Sequence, residues 1–271
     1  MKKVELKNIL TEKEKKFLDF SLIKNLKISK KELFFLEEIN DNLISKIKKD
    51  LKKLSLFPLE YYTKNANFYN NFFVDNRVLI PRNDTEIMVQ EALKIKNLQD
   101  FLIIDITSSA IICSIFKEIK NLKKFALDIS KKALKITKKN IFFHKLNKKI
   151  KFYKSNLLEI FFKKENFHIL ENKKILVTAN LPYIKNDFEN MDKETLIFEP
   201  KLALFEKTGF ELYEKLIKQL QKLKILQKIK EIILFIEIFD QKEFAVNFLE
   251  KNLKYKIFKD NSINRCIKVK F

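Results

Sequence analysis

The chain has 271 residues, 46% of them hydrophobic, a size that fits one large domain or two smaller ones. It carries a net charge of +21, 27 phenylalanines, no tryptophan and a single glycine, Gly209. No apolar run approaches the roughly 18 residues of a membrane span. The charged start "MKKVELKNILTEKEKKF" has no apolar secretory core, and Cys113 and Cys266 stand too far apart for a metal motif. The expectation is therefore a protein of the reducing cytoplasm, without membrane segment, secretory signal or metal.

Nearly all of the positive charge is lysine, since Arg77, Arg82 and Arg265 are the only arginines. A surface selected to grip phosphates would use more of arginine's bidentate fork. The excess of Lys, Asn, Ile and Phe matches AT-rich codon usage instead. The charge still favours acidic surroundings such as the ribosome or RNA.

Residues 1–57 read as helices. A Thr11-Glu12-Lys13-Glu14 start precedes Phe17, Leu18 and Phe20. Ser29 with Glu32 forms a capping box before "LFFLEEI", and Leu43, Ile44, Ile47, Leu51 and Leu54 recur at helical spacing. Pro58 ends this region, which predicts an N-terminal helical domain with linker over 1–66. A second domain then covers 67–271. In it, "FYNNFFVDNRVLI" predicts a hairpin within 67–80 whose turn falls to Asn70-Asn71, and Asp84 is expected to cap a helix running to about Asn97.

From there strand and helix alternate. "FLIIDI", "KFALDI", "KIKFYK", "KILVTA" and "EIILFIEI" read as strands. "IICSIFKEIK", the Ser130-capped "SKKALKITKKNIFF", a long segment after Gly209 and a stretch near 241–249 read as helices. Such alternation implies an α/β fold with a mostly parallel sheet covered on both faces. The closing strands "LKYKIFK" and "RCIKVKF", joined by "DNSIN", predict an antiparallel edge pair.

Ligands of open α/β sheets bind beyond the carboxyl ends of the strands. Three such ends are polar: Asp105, Asp128 and Asn180. Asp128 follows Asp105 by 23 residues, close to the offset at which an acid meets a ribose hydroxyl in nucleotide-binding units. Asn180 opens "NLPYI", in which Pro182 pushes Leu181 into an extended conformation and Tyr183 supplies a flat ring. His144 and His168 are near none of these ends in sequence.

A ribose acid followed by Asn-x-Pro-Tyr resembles the class I S-adenosylmethionine-dependent methyltransferases. Five further segments sharpen the likeness: "VLIPRNDTEIMVQEAL", "LDISKKALKITKKN", "FEPKLALFEKTGFELYEKLI", "IEIFDQKEFAV" and "KDNSINRCIKV". Over about residues 56–271 they resemble the HemK/PrmC protein-(glutamine-N5) methyltransferases. The resemblance implies a Rossmann-like seven-stranded sheet and S-adenosyl-L-methionine as cofactor. It implies as substrate the glutamine of the Gly-Gly-Gln motif of peptide chain release factors. By the same resemblance Asn180, Pro182 and Tyr183 would be catalytic, and Leu181 would join them in holding the acceptor amide. Asp105, Thr107, Ser108, Ser109, Asp128, Leu157 and Asn180 would hold the cofactor. The N-terminal helices match the family's partner-binding module in character, and a monomer is expected.

The departures lie at the cofactor loop. The family loop is D-x-G-x-G-x-G; here "DITSSAIIC" has no glycine and is about two residues shorter, where glycine would permit positive φ and close approach. Asn156 stands where the family has aspartate, Leu181 where it has proline, and Phe239 where it has glycine. Two other readings stay open. Asn-Leu-Pro-Tyr is similar to the form in ribosomal RNA adenine dimethyltransferases, which points to an N6-adenine methyltransferase acting on RNA or DNA. The glycine-free loop suits a non-catalytic homologue that binds a release factor or the ribosome.

Overall fold

The computed structural model describes residues 2–54, 57–107, 109–119, 123–146, 150–185, 193–238, 242–250, 253–260 and 263–271. The chain divides into two units, one of Met1–Asn65 with Asp192–Phe198, the other of Ala66–Met191 with Glu199–Phe271.

The first unit contains helices α1 (Lys3–Asn8), α2 (Glu12–Leu26), α3 (Lys30–Phe35), α4 (Asp41–Leu54) and α5 (Leu59–Thr63). Thr11 and Ser29 start α2 and α3 through reciprocal capping boxes. Each hydroxyl accepts an N–H from the glutamate three residues on, and that glutamate accepts the cap's own N–H. Phe17, Leu18 and Leu22 pack with Leu33, Ile44, Ile47 and Leu51 as the unit's core. The predicted helix through "LFFLEEI" stops at Phe35, because Leu36 is extended and Glu38 bridges back to Lys2. A later helix, Lys193–Phe198, belongs here too; the rings of Phe57 and Phe198 meet edge-on at 4.9 Å.

The second unit begins with a hairpin of β1 (Ala66–Phe68) and β2 (Asn70–Phe72). Its turn is not at the asparagines. Asn71 pairs with Asn67 inside the ladder, and the reversal falls on Tyr69 at φ +45°, whose N–H donates to Glu86 Oε1 at 2.8 Å. Asp84 likewise caps no helix. It lies in a 3₁₀ turn, Asn83–Thr85, and its carboxylate pairs with Arg265 at 2.7 Å, so α6 runs only from Glu86 to Leu93.

The remaining elements, in chain order, are β3 (Phe101–Ile106), α7 (Ser109–Glu118), β4 (Lys124–Asp128), α8 (Lys131–Phe143), β5 (Ile150–Lys154), β6 (Lys174–Ala179) and β7 (Ile184–Lys185). With Lys193–Phe198 counted as α9, there follow α10 (Lys201–Leu204), β8 (Phe205–Glu206), α11 (Glu211–Leu226), β9 (Glu231–Glu237), α12 (Lys242–Leu249), β10 (Lys254–Asp260) and β11 (Ile263–Lys270). The main sheet has the order β10-β11-β9-β6-β3-β4-β5. The five strands from β9 to β5 are parallel, and β11 and β10 close one edge antiparallel. The predicted turn between those two strands, at 261–262, lies outside the described residues.

Period-two alternation splits each central strand between two cores. Leu102, Ile104 and Ile106 of β3 face α11, whose Tyr213, Leu216, Ile217 and Leu220 are buried against that side. Phe101 and Ile103 face the opposite core with Met88 and Val89 of α6 and Ile111 and Ile115 of α7. Both faces are covered, which is why these strands read as unbroken apolar runs.

The segment after the hairpin is fixed by two side chains. Asn140 of α8 takes the N–H of Phe73 on Oδ1 at 2.7 Å and donates Nδ2 to the carbonyl of Phe73 at 2.9 Å. Further on, Glu199 binds the guanidinium of Arg82 and accepts the N–H of Ile80 at 3.1 Å, which joins the "LIPR" segment to the "FEP" segment. Asn140→Ala leaves both Phe73 backbone groups without their partner. We expect it to lower unfolding free energy by about 1–3 kcal/mol, read as a lower urea midpoint at unchanged slope.

Candidate active site

Chain order doubles back at β3. The strands β4 and β5 extend the sheet to one side, and β6 and β9 extend it to the other. Loops leaving β3 and β6 therefore part, and a crevice opens at their carboxyl ends. A cavity of about 210 Å³ lies there, walled by Ile106 and Thr107 at the end of β3, Asp128, Ile129 and Ser130 at the end of β4, Leu157 after β5, and Asn180, Leu181 and Pro182 after β6. Arg77, Leu79, Pro81 and Thr85 line it from the hairpin side, and Pro200 and Leu202 from the "FEP" segment.

Thr107 prolongs β3 by one bond, its N–H meeting the carbonyl of Leu127 at 2.9 Å. It then turns at φ +80°. For a β-branched residue this conformation costs about 1–3 kcal/mol. Its hydroxyl donates to the backbone carbonyl of Asn180 at 2.7 Å and so ties the β3 loop to the β6 loop. Ser108 lies outside the described residues, as does the side chain of Ser109, which begins α7.

Asp128 ends β4 and lines the cavity. Its Oδ1 accepts the N–H of Ser130 at 2.7 Å, and Ser130 in turn caps α8 through Ala133. Burial lifts the Asp128 carboxyl to about 6, with the Ser130 N–H opposing. Asp105 is placed differently. It sits one residue inside the end of β3, 1% exposed, and is not part of the cavity wall. Its Oδ1 accepts the hydroxyl of Thr178 at 2.7 Å, and burial holds the carboxyl well above its ordinary range. Leu157 reaches the cavity from a turn at φ +52°.

Three residues of the "NLPY" segment are held by hydrogen bonds. The side-chain Nδ2 of Asn180 donates to Thr85 Oγ1 at 3.3 Å. Leu181 has an N–H where proline would have none, and the buried hydroxyl of Tyr213 accepts it at 3.1 Å. Tyr183 does not line the cavity; its hydroxyl donates to Glu237 Oε1 at 3.1 Å, and burial beside that carboxylate raises it strongly. The structure thus brings Thr107, Asp128, Leu157, Asn180, Leu181 and Pro182 around one cavity and leaves Asp105 and Tyr183 behind it. Sequence reasoning passed over Thr85, Tyr213 and Glu237. A charged residue closing an otherwise apolar strand, "EIILFIE", was the available signal for Glu237.

No protein-family model matches the chain. It is 34% identical over 250 residues to the release factor glutamine methyltransferase of Mycoplasma mycoides subsp. mycoides, covering 87% of this chain and 80% of that protein. It is 33% identical over 200 residues to that of Dictyoglomus turgidum, covering 70% and 67%. Among solved structures, the hMettl16 catalytic domain in complex with MAT2A 3'UTR hairpin 6 superposes with a TM-score of 0.54 at 13% identity, over 73% of this chain and 74% of that one. That likeness is one of fold, and the sheet is the mostly parallel seven-stranded sheet of class I methyltransferases.

The strain at Thr107 and its bond to Asn180 are separable. Thr107→Gly relieves the positive φ while losing the hydroxyl, and should stay within about 1 kcal/mol of wild type. Thr107→Val keeps the strain and loses the bond, and should cost roughly 1–3 kcal/mol. Chemical denaturation of the two variants checks the order.

Proposed function

The chain belongs to the release factor glutamine methyltransferase family, and we propose that it transfers a methyl group from S-adenosylmethionine to the side-chain amide nitrogen of the glutamine in the Gly-Gly-Gln motif of release factors. The observation that carries this is the meeting of Asp128 and Asn180 in one cavity at the sheet's switch point.

The residues present suit an adenosyl group. Asp128 offers a carboxylate at a strand end for ribose hydroxyls, and Ile129, Ala133 and Leu157 offer apolar walls for a flat base. The Cβ of Thr107 stands where the family has glycine, but its hydroxyl is engaged with Asn180. Bound there, the cofactor supplies an electrophilic methyl on a sulfonium, whose carbon–sulfur electron pair stays with sulfur.

The rest falls to the chain. A glutamine amide is a poor nucleophile because its lone pair is delocalised into the carbonyl. Asn180 Oδ1 and the carbonyl of Leu181 accept its two N–H bonds. They fix the lone pair toward the methyl and stabilise the positive charge that develops on nitrogen. As the new N–C bond forms, one of those protons is lost to water. Thr107 and Tyr213 hold the backbone that carries both acceptors. Pro182 keeps Leu181 extended. Tyr183 braces the segment from behind. Asp105, through Thr178, steadies β3 against β6 under the cofactor loop.

The N-terminal helical unit is the module that binds the release factor. Among the described residues no helix is long and apolar enough to cross a membrane. A net charge of +21 favours work near the ribosome, in the cytoplasm.

Incubation with labelled S-adenosylmethionine should place label on the Gly-Gly-Gln glutamine of a release factor. Label in ribosomal RNA instead would favour adenine methylation, and no label in either would favour a non-catalytic homologue. Asn180→Ala should lower turnover by roughly 10²–10³ with much smaller change in cofactor affinity. Near-normal turnover would remove Asn180 from the mechanism.

A further inference from the structure

A chain of polar side chains runs behind Asn180. Glu237 is the last residue of β9, 3% exposed and in register with Cys266 of β11. Its two oxygens accept different hydroxyls: Oε2 that of Thr85, Oε1 that of Tyr183 at 3.1 Å. Thr85 Oγ1 in turn meets the Asn180 amide at 3.3 Å.

A hydroxyl has one proton. Thr85 commits it to the Glu237 carboxylate and turns only lone pairs toward Asn180. Asn180 must meet those lone pairs with Nδ2, which leaves Oδ1 for the cavity. We propose that Glu237 is a positioning residue which, through Thr85, sets which end of the Asn180 amide faces the substrate, and that protonation of Glu237 reverses it. This inference rests on the glutamine-methylating reading of the site.

The reversal follows from the same count of protons. A protonated Glu237 donates to Thr85 Oγ1. The Thr85 proton then swings to Asn180, which must answer with Oδ1, and the amide flips. The cavity now meets an NH₂ where the acceptor's own N–H needs an oxygen. Methyl transfer loses one of its two acceptors.

The groups facing Glu237 set where this happens. Arg265 of β11 favours the carboxylate, as do the hydroxyls of Thr85 and Tyr183. Asp84, paired with Arg265, opposes it. Tyr213 of α11 and Cys266 of β11 adjoin it and are held neutral by burial. Burial outweighs the stabilising partners and lifts Glu237 to about 7. The carboxylate, and with it the productive amide orientation, is present above that pH and lost as pH falls through it.

Two measurements test this. The side-chain amide signals of Asn180 in the ¹⁵N-labelled protein, assigned by their loss in Asn180→Asp, should shift with a midpoint near 7. The shift should vanish in Glu237→Gln and in Thr85→Val. The second variant keeps the test open should the first fail to fold. In release factor methylation, wild-type kcat should fall about tenfold from pH 8 to pH 6. Thr85→Val should lower kcat at least about tenfold and flatten the profile, with little change in KM for S-adenosylmethionine. Thr85→Ser, which keeps the hydroxyl, should recover most of the rate and the profile. An Asn180 amide that does not titrate, or a wild-type pH profile retained in Thr85→Val, overturns the proposal. An amide that titrates in a protein that methylates no release factor at any pH upholds the relay and overturns the functional reading instead.

Discussion

One hydrogen bond, from the hydroxyl of Thr107 to the carbonyl of Asn180 at 2.7 Å, spans the point where the two halves of the sheet part. The loops after β3 and β6 leave in different directions there, and without a tie the cavity between them has no fixed width. The bond fixes the Asn180 peptide. The Asn180 side chain then lies against Thr85, and the next peptide lies against Tyr213. A glycine-rich loop shapes such a site with bare backbone. This chain does it with a side chain, at the cost of a β-branched residue at φ +80°.

That exchange is part of a wider pattern. Among the described residues nine non-glycine positions have positive φ, Lys27 and Lys64 at helix C-caps among them. Each adds strain on the order of 1 kcal/mol that glycine would avoid. The single glycine, Gly209, sits at φ +85° just ahead of α11. A composition almost empty of glycine therefore keeps its turns but holds them under strain. The two buried faces of the sheet supply the opposing stability. At the loop after β3 the same substitution puts a hydroxyl where it can bond, and the bond to Asn180 ties that short, glycine-free loop to the loop after β6.

Much of this was legible in the sequence, for physical reasons. Strands buried on both faces must be apolar throughout, so "FLIIDI" and "KILVTA" announced themselves, and the caps at Thr11, Ser29 and Ser130 marked helix starts. Asp128 and Asn180 stood out as polar residues at strand ends. What escaped depended on partners far along the chain. Asp84 reads as a cap until Arg265 is beside it, and Tyr69 reads as strand until Glu86 holds its N–H in a turn. Glu237 reads only as one residue within the strand "EIILFIEI" until Thr85 and Tyr183 close over it. The sense of the Asn180 amide is a property of that whole chain of donors and acceptors, and no local pattern encodes it.

Whether a glycine-free loop still makes a working cofactor site is the claim on which the rest stands. Calorimetric titration with S-adenosylmethionine tests it most directly. A saturable signal from the wild-type chain, absent in Asp128→Ala, is the expected result. A wild-type protein shown to be folded that gives no saturable heat up to millimolar cofactor would contradict it.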